Sequence, residues 1–486
     1  MVSIEELWPT PLRLQILFIV ASVFTFSLIT YECIRRKSLL SGFGGPWGLP
    51  IVGNLLSIGE DAAESYRVWA RTYGEVYQVQ LGSIPVLVIV SDTSGTTIGT
   101  APFNDSLKKR RKIAASALNK PAVQTYVPQL DMETKLFIDE LWKVGDHGSA
   151  SISPIPMIQR LNMSLTLTMN WGRRMESQSN KLFGRITHVE DELSKFRRTN
   201  ANLQDYIPLL RLNPLNVDSV KAREMRTRRD KYMKVLDDEL HEKLAKGEVN
   251  PCIQVNVLQE GGSQLTKCEI TSINVTMLAA GLDTMISAVS WEMVCLATQP
   301  DIQTAAVKAI GEHFTEQQPL CDANDDQSCK YIVGFVKETL RFYTMARLSL
   351  PRRSTRDTFF DDKLIPAGTI VFLNAWAYNH DPTVWKDLDE FRPERWVEDN
   401  DNELRHYTLG AGSRMCIGIH LAYRELYLIF IRLLNSFELI PGGDVDAHPL
   451  TGQDDPSALT TQPKPFKVKF VPRNTAALIQ ALAGSE

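Results

Sequence analysis

The chain has 486 residues, 44% of them hydrophobic and 23% charged, with a formal net charge of -4, a profile of a folded globular protein rather than a disordered or fibrous one. That balance carries no global basic excess of the kind nucleic-acid binding uses, so no nucleic-acid partner is expected. Seven cysteines (Cys33, Cys252, Cys268, Cys295, Cys321, Cys329, Cys416) are odd in number and scattered without a C-x-x-C pair, which argues against a disulfide framework and a zinc site and for a reducing compartment.

From Leu14 to Ile34 the segment LQILFIVASVFTFSLITYECI carries a single charge, Glu32, and Arg35, Arg36 and Lys37 follow at once. At ~1.5 Å per residue, about 20 such residues cross a bilayer core. Residues 1–37 therefore predict a single-pass membrane anchor with its basic stop, Glu5 and Glu6 on the lumenal side and the body in the cytosol. A cleaved signal peptide and a buried helix are the other readings. The length of the run and the lack of a small-x-small cleavage site favour the anchor. With the body cytosolic, the sequons at Asn162 and Asn274 stay unglycosylated.

Residues 38–54 contain GFGGPWGLPIVGN, whose prolines and glycines cannot continue a helix and mark a stiff hinge before the body, residues 55–486. EVYQVQLGSIPVLVIVS predicts two strands joined at Gly82-Ser83, the second ending at Val90. Helical spacing then dominates to about residue 345, with breaks near Pro208, Pro214, Gly247, Gly261 and Pro319. Strand-like runs return in LSLPRRSTRDTFF, LIPAGTIVFLNAWAY and KPFKVKFV. The fold class is mainly α with a minor β part.

Four motifs carry the chemistry. In MLAAGLDTMISAV, Ala279, Ala280 and Gly281 strip one face of an apolar helix beside Asp283 and Thr284. An interior glycine costs about 1 kcal/mol relative to alanine, so either something fits against it or it is a polar kink packed on another helix. KETLR sets Glu338 and Arg341 three residues apart on one helix face, and FRPERW adds Arg395. These make a buried carboxylate with two guanidinium partners, or else a surface ion pair worth a few tenths of a kcal/mol. In YTLGAGSRMCIGIHLAYRELY the glycines at 410 and 412 let the backbone fold close, and Cys416, between Arg414 and Gly418, precedes a helix whose start lowers a thiol's pKa. A small buried hydrophobe is the plain alternative for one cysteine.

The order AAGLDT, ETLR, FRPERW, GAGSRMCIG over residues 279–418 resembles the cytochrome P-450 family of haem-thiolate monooxygenases. The resemblance implies that fold behind the membrane helix, and haem b as cofactor with Cys416 as its axial thiolate. It implies that Asp283 and Thr284 relay protons, with Ala280 and Gly281 leaving room, and that Glu338, Arg341 and Arg395 hold the loop beneath the haem. Arg414, Arg352 and Arg111 would meet the haem propionates. In the last position Leu107 replaces the family's tryptophan four residues before the arginine. Lys108, Lys109, Arg110 and Lys112 would face an acidic partner, NADPH-cytochrome reductase, since GFGGPWG lacks the setting of a dinucleotide fold.

In GTTIGTAPFNDSLKKRRKIAASALNKPAVQTYVPQLDMETK and YGEVYQVQLG the chain resembles, within the family, fungal microsomal members that hydroxylate small aromatics, the phenylacetate 2-hydroxylases and the cresol or benzyl-alcohol hydroxylases. That implies a small aromatic substrate attacked at a ring or benzylic carbon, in secondary metabolism or aromatic catabolism. Arg347 would be a scaffold residue rather than an anchor for a substrate carboxylate. Two departures stand out: Leu409 replaces the aromatic ring of the family's haem loop, and the Val90–Leu107 connection is short where members place a further helix and a substrate-contacting loop. A haem-binding but catalytically incomplete variant is the second reading. A reductase-independent isomerase or dehydratase is the third, disfavoured by the Asp283-Thr284 pair.

Overall fold

Thr266 and Glu269 close a capping box that starts the central helix, Lys267–Thr298: the Glu269 amide donates to Thr266 Oγ1 and the Thr266 amide to the Glu269 carboxylate. From Ser287 to Ala297 every residue of this helix is buried, the pattern of a helix running through a core. The computed structural model describes residues 10–37, 39–82, 84–87, 98, 99, 101, 103–196, 217–248, 251–261, 265–399 and 404–483. Among these the central helix is the one long and apolar enough to cross a membrane, and 61% of its most apolar window is buried inside the protein. The Thr10–Lys37 segment is also helical and exposes Leu17, Phe18, Ile19, Val23 and Phe24.

The main core joins the central helix to two others that carry motifs, Lys330–Tyr343 and Ile419–Ser436, through Trp291, Phe335, Tyr343 and Phe430. On its other side the central helix lies close to the helix Ile155–Trp171: a Cβ added at Gly281 would stand 2.8 Å from Thr166 Oγ1. Asn162 and Asn274 are buried, and Asn274 donates to Asp237 Oδ1 at 2.9 Å, so neither sequon presents its amide to solvent.

The β part is small. A four-stranded sheet runs Gln78–Leu81, Ile84–Leu87, Ile370–Val371, Arg352–Arg353, antiparallel at both outer pairs and parallel in the middle. Ser151–Ile152, Val468–Pro472 and Phe437–Pro441 form a second sheet, whose first strand is too short to announce itself by alternation. Thr358–Phe360 and Lys363–Ile365 form a hairpin turned by Asp361 and Asp362, with φ of 45° and 61°.

Of LIPAGTIVFLNAWAY only the first half is strand. Asn374 accepts from the Ala377 amide at 3.0 Å and caps a short helix, Ala375–Asn379, so a local cap overrides the apolar run. The expected strand end at Val90 and the breaks at Pro208 and Pro214 lie outside the described residues.

Candidate functional site

Two left-handed glycines, Gly410 (φ 74°) and Gly412 (φ 62°), fold the loop back so that the Cys416 amide donates to Leu409 O at 2.9 Å. The loop then feeds the proximal helix, Ile419–Ser436, just after Gly418. A Cβ at 418 would lie 3.9 Å from Cys416 Sγ, which stays clear. Cys416 keeps accessible surface although protein surrounds it, so it opens onto an interior face. Burial pushes its thiol up, against the opposing pull of the Gly418 amide and the Arg111 charge. The helix start alone therefore does not make it a thiolate. A coordinated metal ion does, because it removes the thiol proton outright.

The loop hangs on a buried ion network. Glu338 accepts from Arg341 at 2.8 and 3.0 Å, from Arg395 Nε at 3.1 Å, from Trp396 Nε1 at 2.8 Å and from the Arg392 amide at 3.0 Å. Arg341 Nη1 also donates to Asn379 O at 3.0 Å. Asn379 passes the constraint on: its amide group donates to Thr408 Oγ1 at 3.0 Å, and its Oδ1 accepts from the Tyr407 amide at 3.0 Å. The sequence did not single out Asn379, although an asparagine ending the NAWAYN run is the kind of side chain that satisfies backbone at a loop entry.

Three of the expected arginines meet at one place. Arg352 Nη1 donates to Gly99 O at 2.5 Å, Arg414 Nη2 to Gly99 O at 3.4 Å and to Ala101 O at 3.0 Å, and Arg111 Nη2 to Met415 O at 2.8 Å. The adjacent cleft is lined by Phe103, Leu107, Arg111, Ser413, Arg414 and Ile417. Arg414 Nη1 is buried with no partner among the described residues. A buried unpaired guanidinium nitrogen is costly, and an anion is what satisfies it. Cys416, two residues on, supplies the soft donor an iron takes. The residues present thus fit a metal-centred group bearing carboxylates.

The expected basic face is narrower than four residues. Arg110 turns inward to Ser272 Oγ at 2.5 Å and Lys109 lies 4.0 Å from Glu269, because helical periodicity points them at the central helix. Lys108 and Lys112 remain exposed. Leu107, in the tryptophan's position, is buried in the main core, and Leu409 packs against that core.

On the central helix, Ala280 and Thr284 are exposed one turn apart, with Asp283 half-buried beside them and Thr284 Oγ1 donating to Ala280 O at 2.7 Å. Gly281 does not share that open stripe. The lack of a side chain there serves the close approach of Thr166, which corrects the expectation that it leaves room at the site. Thr276, one turn before Ala280, accepts from the Ile98 amide at 2.9 Å. Ile98, Gly99 and Ala101 therefore tie the open stripe to the arginines, a role sequence reasoning missed because they fall in what reads as a turn-rich connection. Arg347 is scaffold: it pairs with Asp61 at 2.6 Å, donates to Pro449 O at 2.5 Å and lies 4.2 Å over the Trp376 ring.

This cysteine loop, ion network and opened central helix define the haem-thiolate oxygenase class. A family model for cytochrome P450 matches residues 96–470. The chain is 51% identical to a 3-hydroxyphenylacetate 6-hydroxylase of Emericella nidulans, covering 96% of each. It is 36% identical to a phenylacetate 2-hydroxylase of the same organism, covering 98% of this chain and 99% of the relative. A cytochrome P450 monooxygenase of Mycosarcoma maydis is 34% identical over 93% of this chain and 92% of its own. The chain belongs to the cytochrome P450 family and is a monooxygenase whose cofactor is haem b, related to aromatic hydroxylases. The first alignment spans 499 positions against 486 residues here, so the relative carries segments without a counterpart in this chain.

Proposed function

We propose that this chain hydroxylates a small aromatic acid or phenol, at a ring or benzylic carbon, with dioxygen and electrons from NADPH-cytochrome reductase. The observation that carries the site reading is the buried Arg414 Nη1, unpaired among the described residues and two residues from Cys416, with Arg352 and Arg111 converging beside it. Cys416 holds the iron, and the three arginines hold the propionates. The haem supplies the oxygen chemistry, which thiolate ligation directs toward O–O cleavage. Thr284 Oγ1 and Asp283 move protons toward the open stripe, and for this the Thr284 hydroxyl leaves the Ala280 carbonyl. Ala280 keeps the space beside them clear.

The names of the two Emericella relatives support an arylacetate as the substrate class. Aromatic catabolism and secondary metabolism both use such a step. Residues 1–37 serve as the anchor in the endoplasmic-reticulum membrane and touch its lipid, residues 38–54 as hinge and residues 55–486 as the cytosolic monooxygenase domain; the exposed apolar side chains of the Thr10–Lys37 helix support this. Lys108 and Lys112 are the exposed cations for the reductase.

The catalytically incomplete variant remains a specific second reading, favoured by the short Val90–Leu107 connection and by the longer alignment with the first relative. Microsomes containing the chain and reductase, supplied with NADPH and a panel of arylacetates and phenols, decide between them. A hydroxylated product that needs reductase supports the proposal. A haem-loaded protein with no product on any substrate supports the second reading, and a product formed without reductase supports an isomerase or dehydratase.

A further inference from the structure

Behind the cysteine loop lies a line of oxidisable side chains that the hydroxylation reaction does not use. Tyr423 is on the proximal helix, about 6 Å along its axis from Ile419 at ~1.5 Å rise per residue, and close enough to Cys416 to feel its charge. Its hydroxyl lies 2.9 Å from His406 Nε2. His406 in turn meets the Trp396 ring edge-on, with centroids 5.8 Å apart. Trp396 donates its indole N–H to Glu338 Oε2 at 2.8 Å, and of its neighbours Val397 is exposed and Lys337 half-buried over its ring at 5.4 Å. The line therefore runs from the thiolate toward the surface.

The hydrogen-bond inventory sets the direction of the first link. A neutral imidazole has one donor and one acceptor nitrogen, and His406 Nδ1 is buried without a partner among the described residues. If Nε2 carried the proton, the phenol hydrogen and the Nδ1 lone pair would both go unmet. If the phenol donates to Nε2, only Nδ1–H does. The second arrangement leaves fewer groups unsatisfied, so Tyr423 points its proton at a ring nitrogen able to take it. Burial, reinforced by the charges of Lys337 and Arg341, holds His406 down to about 3, so the ring is neutral and a weak base that takes the phenolic proton only as the phenol loses an electron and becomes a strong acid.

We propose that Tyr423 and His406 form a proton-coupled redox pair behind the proximal thiolate, continued by Trp396, which draws off oxidising equivalents that no substrate has consumed. The inference rests on the reading that Cys416 carries the haem. Tyr423 gives one electron toward the haem site and its phenolic proton to His406 Nε2. Trp396 then gives one electron to the tyrosyl oxygen as the proton returns from His406, and the carboxylate of Glu338 stabilises the indole radical cation. A soluble thiol at the surface supplies the last electron, releases its proton and restores Trp396.

The test uses the full-length haem-loaded protein without substrate, mixed with an organic hydroperoxide and freeze-quenched for electron paramagnetic resonance, with the reduced carbon-monoxide spectrum recorded on the same preparation. The wild type is expected to give tyrosyl and tryptophanyl radicals. Tyr423→Phe loses the tyrosyl component and its Soret band bleaches faster, whereas Trp396→Phe accumulates the tyrosyl radical. Ring-deuterated tyrosine narrows the wild-type signal, a readout that stands even if a variant fails to load haem. Radicals and bleaching unchanged in Tyr423→Phe, or a wild-type spectrum insensitive to deuterated tyrosine, overturn the inference while the thiolate-type carbon-monoxide band persists. Absence of that band in the wild type overturns the site reading and the inference together.

Discussion

The two sides of the site are built by opposite means. The cysteine side is a lattice of buried charge: Glu338 accepts from Arg341, Arg395, Trp396 and the Arg392 amide, and Asn379 relays that order to Tyr407 and Thr408. The wall formed by the central helix is held by fit, with Gly281 against Thr166 and small Ala280 beside Thr284. A charge lattice fails all at once when one partner is removed, because what remains is an unpaired buried ion. A packed wall yields by degrees. Damage on the cysteine side should therefore appear as lost folding and lost haem, and damage on the wall as altered chemistry in a folded protein.

Glu338→Ala is the hardest test of that contrast. It strands two buried guanidinium groups and is expected to cost about 3–5 kcal/mol, read as a fall in the urea midpoint and as haem-free protein. A variant that unfolds like the wild type and keeps its haem would show that the lattice is not what holds the loop. Gly281→Ala comes next: with its Cβ 2.8 Å from Thr166 Oγ1, about 1–3 kcal/mol of overpacking is expected. Adding Thr166→Ala should recover part of this, and strict additivity of the two would mean that the helices do not meet there.

The next effect concerns pH. Burial pushes the Glu425 carboxyl on the proximal helix up to about 8. The native state thus keeps a proton that the unfolded chain loses, so stability falls as pH rises from ~4.5 to ~8 and levels off above. Glu425→Gln should flatten this slope, a difference of at most about 4–5 kcal/mol across the window, checked by denaturant titrations. Thr284→Ala closes the series. Its stability should stay within about 0.5 kcal/mol of the wild type, while product per electron consumed falls on the order of 10²-fold. A destabilised but fully coupled Thr284→Ala would reverse the comparison.

Much of the cysteine side was legible because its parts are short motifs whose chemistry is local. An i, i+3 Glu-Arg pair and a glycine-flanked cysteine before a helix each state a constraint within a few residues. What stayed hidden there was long-range: Asn379, and the carbonyls of Gly99 and Ala101 on which Arg352 and Arg414 converge, belong to segments with no pattern of their own. On the wall, the small residues were visible but their division of labour was not. Composition marks Ala280 and Gly281 alike, and only the position of Thr166 separates the one facing open space from the one facing a helix. The short apolar run ending at Asn379 misled for a related reason, since its periodicity fits strand or helix until the Asn374 cap is counted.

The central claim is that Cys416 binds the haem iron as a thiolate within this lattice. The most direct test is the dithionite-reduced carbon-monoxide spectrum of the full-length protein beside that of Cys416→Ser. The account predicts a strongly red-shifted Soret band in the wild type and its loss in the variant. A wild-type spectrum without that band, or a variant that keeps it, contradicts the account.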